Sequence, residues 1–241
     1  MPESVSERPA GRVPLSRERV LRGAVAVADA SGIGALTMRS LASELGVKPM
    51  SLYHYVAGKD EILDGLVDLV FSEIELPASG GDWRSQMRLR AHSARRALRR
   101  HPWAIGLMES RANPGPATLR HHDATLGVLR AAGFSVAMTA HAYALLDSYI
   151  YGFALQEAAL PFSAETVTES AGAMMQQFAG EYPYLAEIAT EHVLQPGYDF
   201  GDEFEIGLTV ILDALSRSIP AGSGQPGLTV GRGAGPGPTA T

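Results

Sequence analysis

The chain contains no cysteine. A disulfide framework, a thiolate-held metal and a cysteine nucleophile are therefore excluded. Lysine is nearly absent as well, with Lys48 and Lys59 its only two positions. No apolar run approaches the roughly 20 residues a membrane span requires, and residues 1–14 are polar and proline-rich rather than patterned as a secretion signal. The expectation is a cytoplasmic protein that does not enter a membrane. The sequence lacks a phosphate-cradling glycine loop, a G-x-S-x-G elbow and an H-E-x-x-H helix, so a small helical enzyme has no support and no cofactor or metal is implied. Runs of alternating β-branched residues are missing too, which points to an all-α fold.

What is present begins with 46% apolar residues, ample for a packed core. The net charge of −6 conceals a strong asymmetry. Residues 8–59 hold eight basic side chains against three acidic ones, and residues 131–219 hold one basic against twelve acidic. A basic end joined to an acidic body suits a protein that meets phosphate with one end only. Scattered surface charge is the plainer reading of the same counts.

Helical periodicity and its punctuation divide the chain further. Residues 1–14 read as a disordered arm, and 220–241, half glycine or proline, as a disordered tail. Between them, Ser16 is a candidate cap for a helix ending near Gly32. Thr37 can cap a second helix, stapled by Leu36 and Leu41 and stopped at Gly46. Pro49 can open a third, running to about Val56. A long fourth helix follows over Lys59 to Glu75. Further helices are expected at about 82–100, 103–109, 115–131, 135–159, 163–179, 184–194 and 203–219. This divides the chain into a small N-terminal unit over 15–60 and a larger helical unit over 61–219.

The informative stretch is residues 37–56, TMRSLASELGVKPMSLYHYV. Two helices too short to stand alone meet through a tight turn at Gly46. Leu41, Leu45, Val47, Leu52 and Val56 can face inward. Lys48, Pro49, Met50, Ser51, Tyr53, His54 and Tyr55 are then left outside, as on a recognition helix that enters the major groove. Tyr53, His54 and Tyr55 could instead form a core aromatic cluster, but three consecutive residues cannot share one helix face.

These motifs, TMRSLA from Thr37, Leu45-Gly-Val, SLYHYV from Ser51 and GKDEIL from Gly58, strongly resemble the tetracycline-repressor (TetR) family over about residues 15–75. The resemblance implies a homodimeric repressor that leaves a palindromic operator when a small molecule occupies its C-terminal unit. It also implies DNA contacts from Thr37 and Arg39 on the second helix, from Lys48, Pro49, Met50, Ser51, Tyr53, His54 and Tyr55 on the third, and from Lys59 at the start of the fourth. A helical interaction module that does not bind DNA is the remaining rival.

The downstream resemblance, through Trp83, His101, Ala132-Gly-Phe134 and the helix after Ser135, is to the regulatory unit of the tetracycline repressors. Those proteins hold a magnesium–drug chelate partly through a histidine, where this chain aligns Met108; a second drug-contacting histidine falls near Glu75. Thioether sulfur is a poor magnesium ligand, so recognition of a metal chelate is not expected. The candidate pocket residues are Trp103, Met108, Phe134, His141, Tyr149, Phe153, Gln156, Met174, Met175 and Phe178, which suit a hydrophobic or aromatic effector. The same spacing also fits plain core. Arg84, Arg88, Arg95 and Arg99 share one face, expected to be solvated, and His121-His122-Asp123 is expected at the surface. Dimerisation is expected through the helices near 135–159 and 203–219, the latter offering Phe204, Leu208, Ile211 and Leu215 as a stripe. Packing within one protomer would consume that stripe instead.

Overall fold

The computed structural model describes residues 14–78, 80–108, 110–160 and 180–219. The expected arm over its first thirteen residues, the expected tail and the expected helix over 163–179, with Met174, Met175 and Phe178, lie outside the described residues. Every regular element among the described residues is helical.

The first helices obey their local signals. The Ser16 hydroxyl accepts the Arg19 N–H (3.2 Å) and opens α1, Arg17–Ser31. Thr37 opens α2, Met38–Leu45, through a reciprocal box with Ser40. The flanking Leu36 and Leu41 are both buried beneath it. The chain then turns at Gly46, whose φ of 65° and ψ of 35° are left-handed and favour glycine. Pro49 occupies the first position of α3, Pro49–Leu52. The regular helix does not reach Val56 as expected. The Tyr55 and Val56 N–H groups both turn back onto the Leu52 carbonyl, at 2.9 and 3.1 Å, which tightens the backbone over Tyr53–Tyr55.

Helix α4, Lys59–Ser72, is shared by two cores. Its Ile62 and Leu66 pack with Val20, Leu21, Ala24, Leu41, Leu52 and Val56 in the core of the head. Its Val67, Val70 and Phe71 belong to the core of the body. The body continues with α5 (Trp83–Arg100), α6 (Ile105–Met108), α7 (Pro116–Ala131) and α8 (Val136–Ala159), then α9 (Pro183–Ile188) and α10 (Glu203–Ser216). A wider π-type turn extends α9 over Ala189–Val193.

Three expectations for the body are corrected. The arginine face of α5 is not simply solvated. Arg84 pairs with Asp213 and Ser216, Arg88 with Glu205 and Thr209, and Arg95 with Glu157, so this face lies against α8 and α10. The excess acid of the C-terminal half supplies the partners. His121 is not at the surface but fully buried; consecutive helix positions diverge, and the Phe71 ring packs against both His121 and His122. The α10 stripe is consumed within the protomer. Phe204, Leu208, Leu212 and Leu215 are buried and Ile211 packs beside them, whereas Ile206 and Val210 are 60% and 63% exposed.

Helices α1 and α4 approach closely at Gly65, where a Cβ would come within 2.6 Å of Leu21 Cδ2. Leu21 is itself buried in the head core and has little room to yield. Gly65→Val is expected to lower stability by about 1–3 kcal/mol, read as a lower denaturant midpoint. An unchanged midpoint contradicts this packing account.

Candidate DNA-reading surface and effector cavity

The head presents its expected reading residues outward. Lys48, Pro49, Met50, Tyr53, His54 and Tyr55 are exposed, Ser51 is half-buried, and Leu52 and Val56 are sealed beneath them. Met50 is 73% exposed and, with Tyr53 and Tyr55, gives this surface an apolar component. Thr37 and Arg39 at the start of α2 and Lys59 at the start of α4 are also exposed. Arg39, Lys48 and Lys59 form no ion pair among the described residues, which leaves three cations for phosphate. Glu61 fixes the approach to α4. Its carboxylate accepts the Ala57 N–H at 2.7 Å and pairs with Arg17 on α1 at 3.1 Å. These bonds, Ala57 first, hold its pKa below the usual carboxylate range. The start of α4 is thereby tied to the head.

A cavity of about 460 Å³ lies between α4, α6, α7 and α8. Its walls are Phe71 of α4, Met108 of α6, His122 of α7, and Tyr143, Ala144, Asp147, Ser148 and Tyr151 of α8. Behind Asp147 stands a buried polar group. Arg90, 1% exposed at its side chain, donates through Nη2 to Asp147 and through Nε to His121 Nε2 at 3.3 Å. Burial first, then the positive charge of Arg90 and the neighbouring His122, push the His121 pKa down to about 3. The imidazole is thus neutral, with its proton on Nδ1.

Only Met108 among the expected pocket residues within the described part lines this cavity. Trp103 sits at the junction of head and body, where its indole N–H donates to Asp29 of α1 at 2.6 Å. His101 reinforces that junction, with Nδ1 2.7 Å from Asp29 and Nε2 3.2 Å from Glu73. Phe134 is buried edge-on against Trp83. Tyr149 stacks on Phe204 and donates to its carbonyl at 2.9 Å. Phe153 stacks on Phe200 at 4.8 Å. His141 and Gln156 are exposed on α8. The ring-rich stripe singled out in the sequence is largely the packing between α8 and α10.

Seven lining residues are not among the expected pocket residues: Phe71, Tyr143, Ala144, Asp147, Ser148 and Tyr151, and His122, which the sequence had placed at the surface. One signal does point to them. Asp147 is the sole charged residue in the first 21 positions of an otherwise apolar α8. A carboxylate placed there needs a partner or a function, and its neighbours one turn away are the cavity walls.

Comparison with known proteins agrees with this geometry. Residues 20–66 match the family of bacterial regulatory proteins named tetR, and residues 76–219 match the tetracyclin repressor-like C-terminal domain. The chain belongs to the TetR family. The HTH-type transcriptional repressor DrrR1 of Streptomyces coeruleorubidus is 34% identical over 222 residues, covering 88% of this chain and 81% of that protein. The class C tetracycline repressor of Escherichia coli is 29% identical over 206 residues, covering 84% and 91%. Among solved structures, Streptomyces coelicolor ActR in complex with actinorhodin superposes with a TM-score of 0.71 at 28% identity, covering 86% of this chain and 98% of that one. The protein is a helix-turn-helix transcriptional repressor of the TetR type, not an enzyme.

The buried histidine has a consequence for stability. Its folded pKa of about 3 lies far below the ordinary histidine value of 6.5, so between those values only the unfolded TetR-type chain takes up the proton. The stabilisation is complete above about pH 6.5 and is lost as pH falls towards 3. The acceptor-preserving variant His121→Gln is expected to lose about 2 kcal/mol less than the parent between pH 7 and pH 5. Denaturant melts at the two pH values measure the difference, and identical losses contradict the assignment.

Proposed function

We propose that this TetR-family regulator acts in the cytoplasm as a homodimer on a palindromic operator, and that a small hydrophobic or aromatic effector entering the cavity beside Phe71 releases it. Thr37, Arg39, Lys48, Pro49, Met50, Ser51, Tyr53, His54, Tyr55 and Lys59 form the surface that meets the duplex. Lysine, arginine and the hydroxyl groups take phosphate. Met50, Pro49 and His54 read base edges and thymine methyls. Two heads related by a two-fold axis must lie about 34–36 Å apart to occupy successive major grooves.

The dimer forms through α8 and α10, four helices in all. Support comes from the apolar side chains these helices leave outside the protomer core, Leu145 and Leu155 on α8 and Ile206 and Val210 on α10. The observation that carries the whole proposal is the composition of α4. One continuous helix bears Lys59 at the reading surface and Phe71 in the cavity wall. An effector that favours a different placement of Phe71 therefore favours a different placement of the heads, and it lowers operator affinity by its differential affinity for the two states.

Operator fragments selected from genomic DNA provide the assay. Operator affinity is expected to fall steeply with salt, and Lys59→Ala to reduce the slope of log K against log salt by about 1 while weakening all sequences alike. His54→Ala is expected to change sequence preference instead. A flat salt dependence contradicts the reading. Val210→Glu buries like charges across the proposed two-fold axis. It is expected to yield monomers by sedimentation and to abolish specific operator binding; a stable dimer places the interface elsewhere.

A further inference from the structure

The wall chemistry of the cavity narrows its occupant. Three observations bear on this. First, Asp147 uses only Oδ1 to receive Arg90. Its Oδ2 has no hydrogen-bond partner among the described residues, although Asp147 lines the cavity. Secondly, the charge behind the wall is already balanced. Arg90 neutralises Asp147, and His121 is uncharged because burial holds its pKa at about 3. An effector of strong net charge finds no unmatched counter-charge in this group. Thirdly, the remaining walls are mostly rings and a thioether, from Phe71, His122, Tyr143, Tyr151 and Met108, with Ala144 and the Ser148 hydroxyl between them. The Arg90 guanidinium stands 5.6 Å from the centre of the Tyr143 ring, so that ring is itself held in place.

We propose that Asp147 is the polar anchor of the effector, and that the effector class is a neutral, flat aromatic compound bearing a phenolic hydroxyl. The hydroxyl donates to Asp147 Oδ2, a charge-assisted hydrogen bond about twice as strong as a neutral one. The rings lie between the aromatic walls. Arg90 is a positioning residue: it fixes Asp147 through Oδ1 and leaves Oδ2 to the ligand. The inference rests on the cavity being the effector site, as proposed above.

The test compares aromatic probes that differ only in their ability to donate. The full-length protein is titrated with 2-naphthol and with a dihydroxyanthraquinone, and with the O-methyl ether of each, by calorimetry or tryptophan quenching. The hydroxylated probes are expected to bind about 10- to 100-fold more tightly than their ethers. Asp147→Asn alone leaves Arg90 buried without its counter-charge and threatens the fold, so the paired change Arg90→Leu with Asp147→Leu is used, which removes both charges together. In that variant the preference for the hydroxyl is expected to vanish while the ethers bind as before. Met108→Trp, which fills the cavity, is expected to exclude every probe. Equal binding of hydroxyl and ether, both excluded by Met108→Trp, overturns the anchor but leaves the cavity as the effector site. Probe binding that survives Met108→Trp overturns the cavity reading itself, and failure of every probe to bind overturns the aromatic class.

Discussion

The structure depends on one constraint: α4 is a single uninterrupted helix built into two close-packed interiors. Lys59 and Phe71 are twelve residues apart, about 18 Å along the axis. Between them Ile62 and Leu66 are fixed in the head, and Val67 and Val70 in the body. Packed interiors do not absorb displacement gradually, because small shifts break contacts at close range. A change at the cavity end must therefore be taken up as a movement of the helix. The head is tied to the body at a second place, where Asp29 of α1 receives Trp103 and faces His101. Trp103 lies five residues before Met108, a cavity wall. The first tie begins in the cavity wall, and the second begins close to it in the chain.

Electrostatics shape the body in a way that hydrophobic burial alone does not. Helix α5 lays its arginines along the acidic faces of α8 and α10, and Arg95 adds cation–π contacts to Phe153 and Phe204. Most of these pairs are partly exposed and contribute little individually. Arg90 with Asp147 is different, since both are withdrawn from water. Well-packed apolar residues often match or exceed a buried pair in stability. Stability is therefore a weak explanation for a charged pair behind a cavity wall, and a role in recognition is the stronger one.

The head was almost fully legible in the sequence. Thr37, Gly46 and Pro49 act through local backbone chemistry, and Leu41, Leu52 and Val56 through helical spacing, so short-range signals suffice. The described helices of the body lie close to their expected positions for the same reason. Their facing directions were not. The ring-bearing side of α8 meets α10 rather than the cavity, because Tyr149 and Phe153 found stacking partners in Phe204 and Phe200, some fifty residues later. The arginines of α5 looked solvated because their acidic partners lie more than sixty residues away in the chain. His121 looked exposed because adjacent histidines diverge on a helix, but divergence does not say which of the two turns inward. Which side of a helix is buried is decided by its neighbours, and no local pattern reports them.

The central claim, that cavity occupancy resets the spacing of the heads through α4, has a direct test. The absence of cysteine allows a single spin label at Ser43→Cys, exposed on α2 and outside the reading helix. Pulsed dipolar spectroscopy then reports the distance between the two heads of the dimer. The account predicts one distribution for operator-bound protein, compatible with grooves about 34–36 Å apart, and a shifted one when effector saturates the cavity. An unchanged distribution at effector concentrations that release the operator contradicts it.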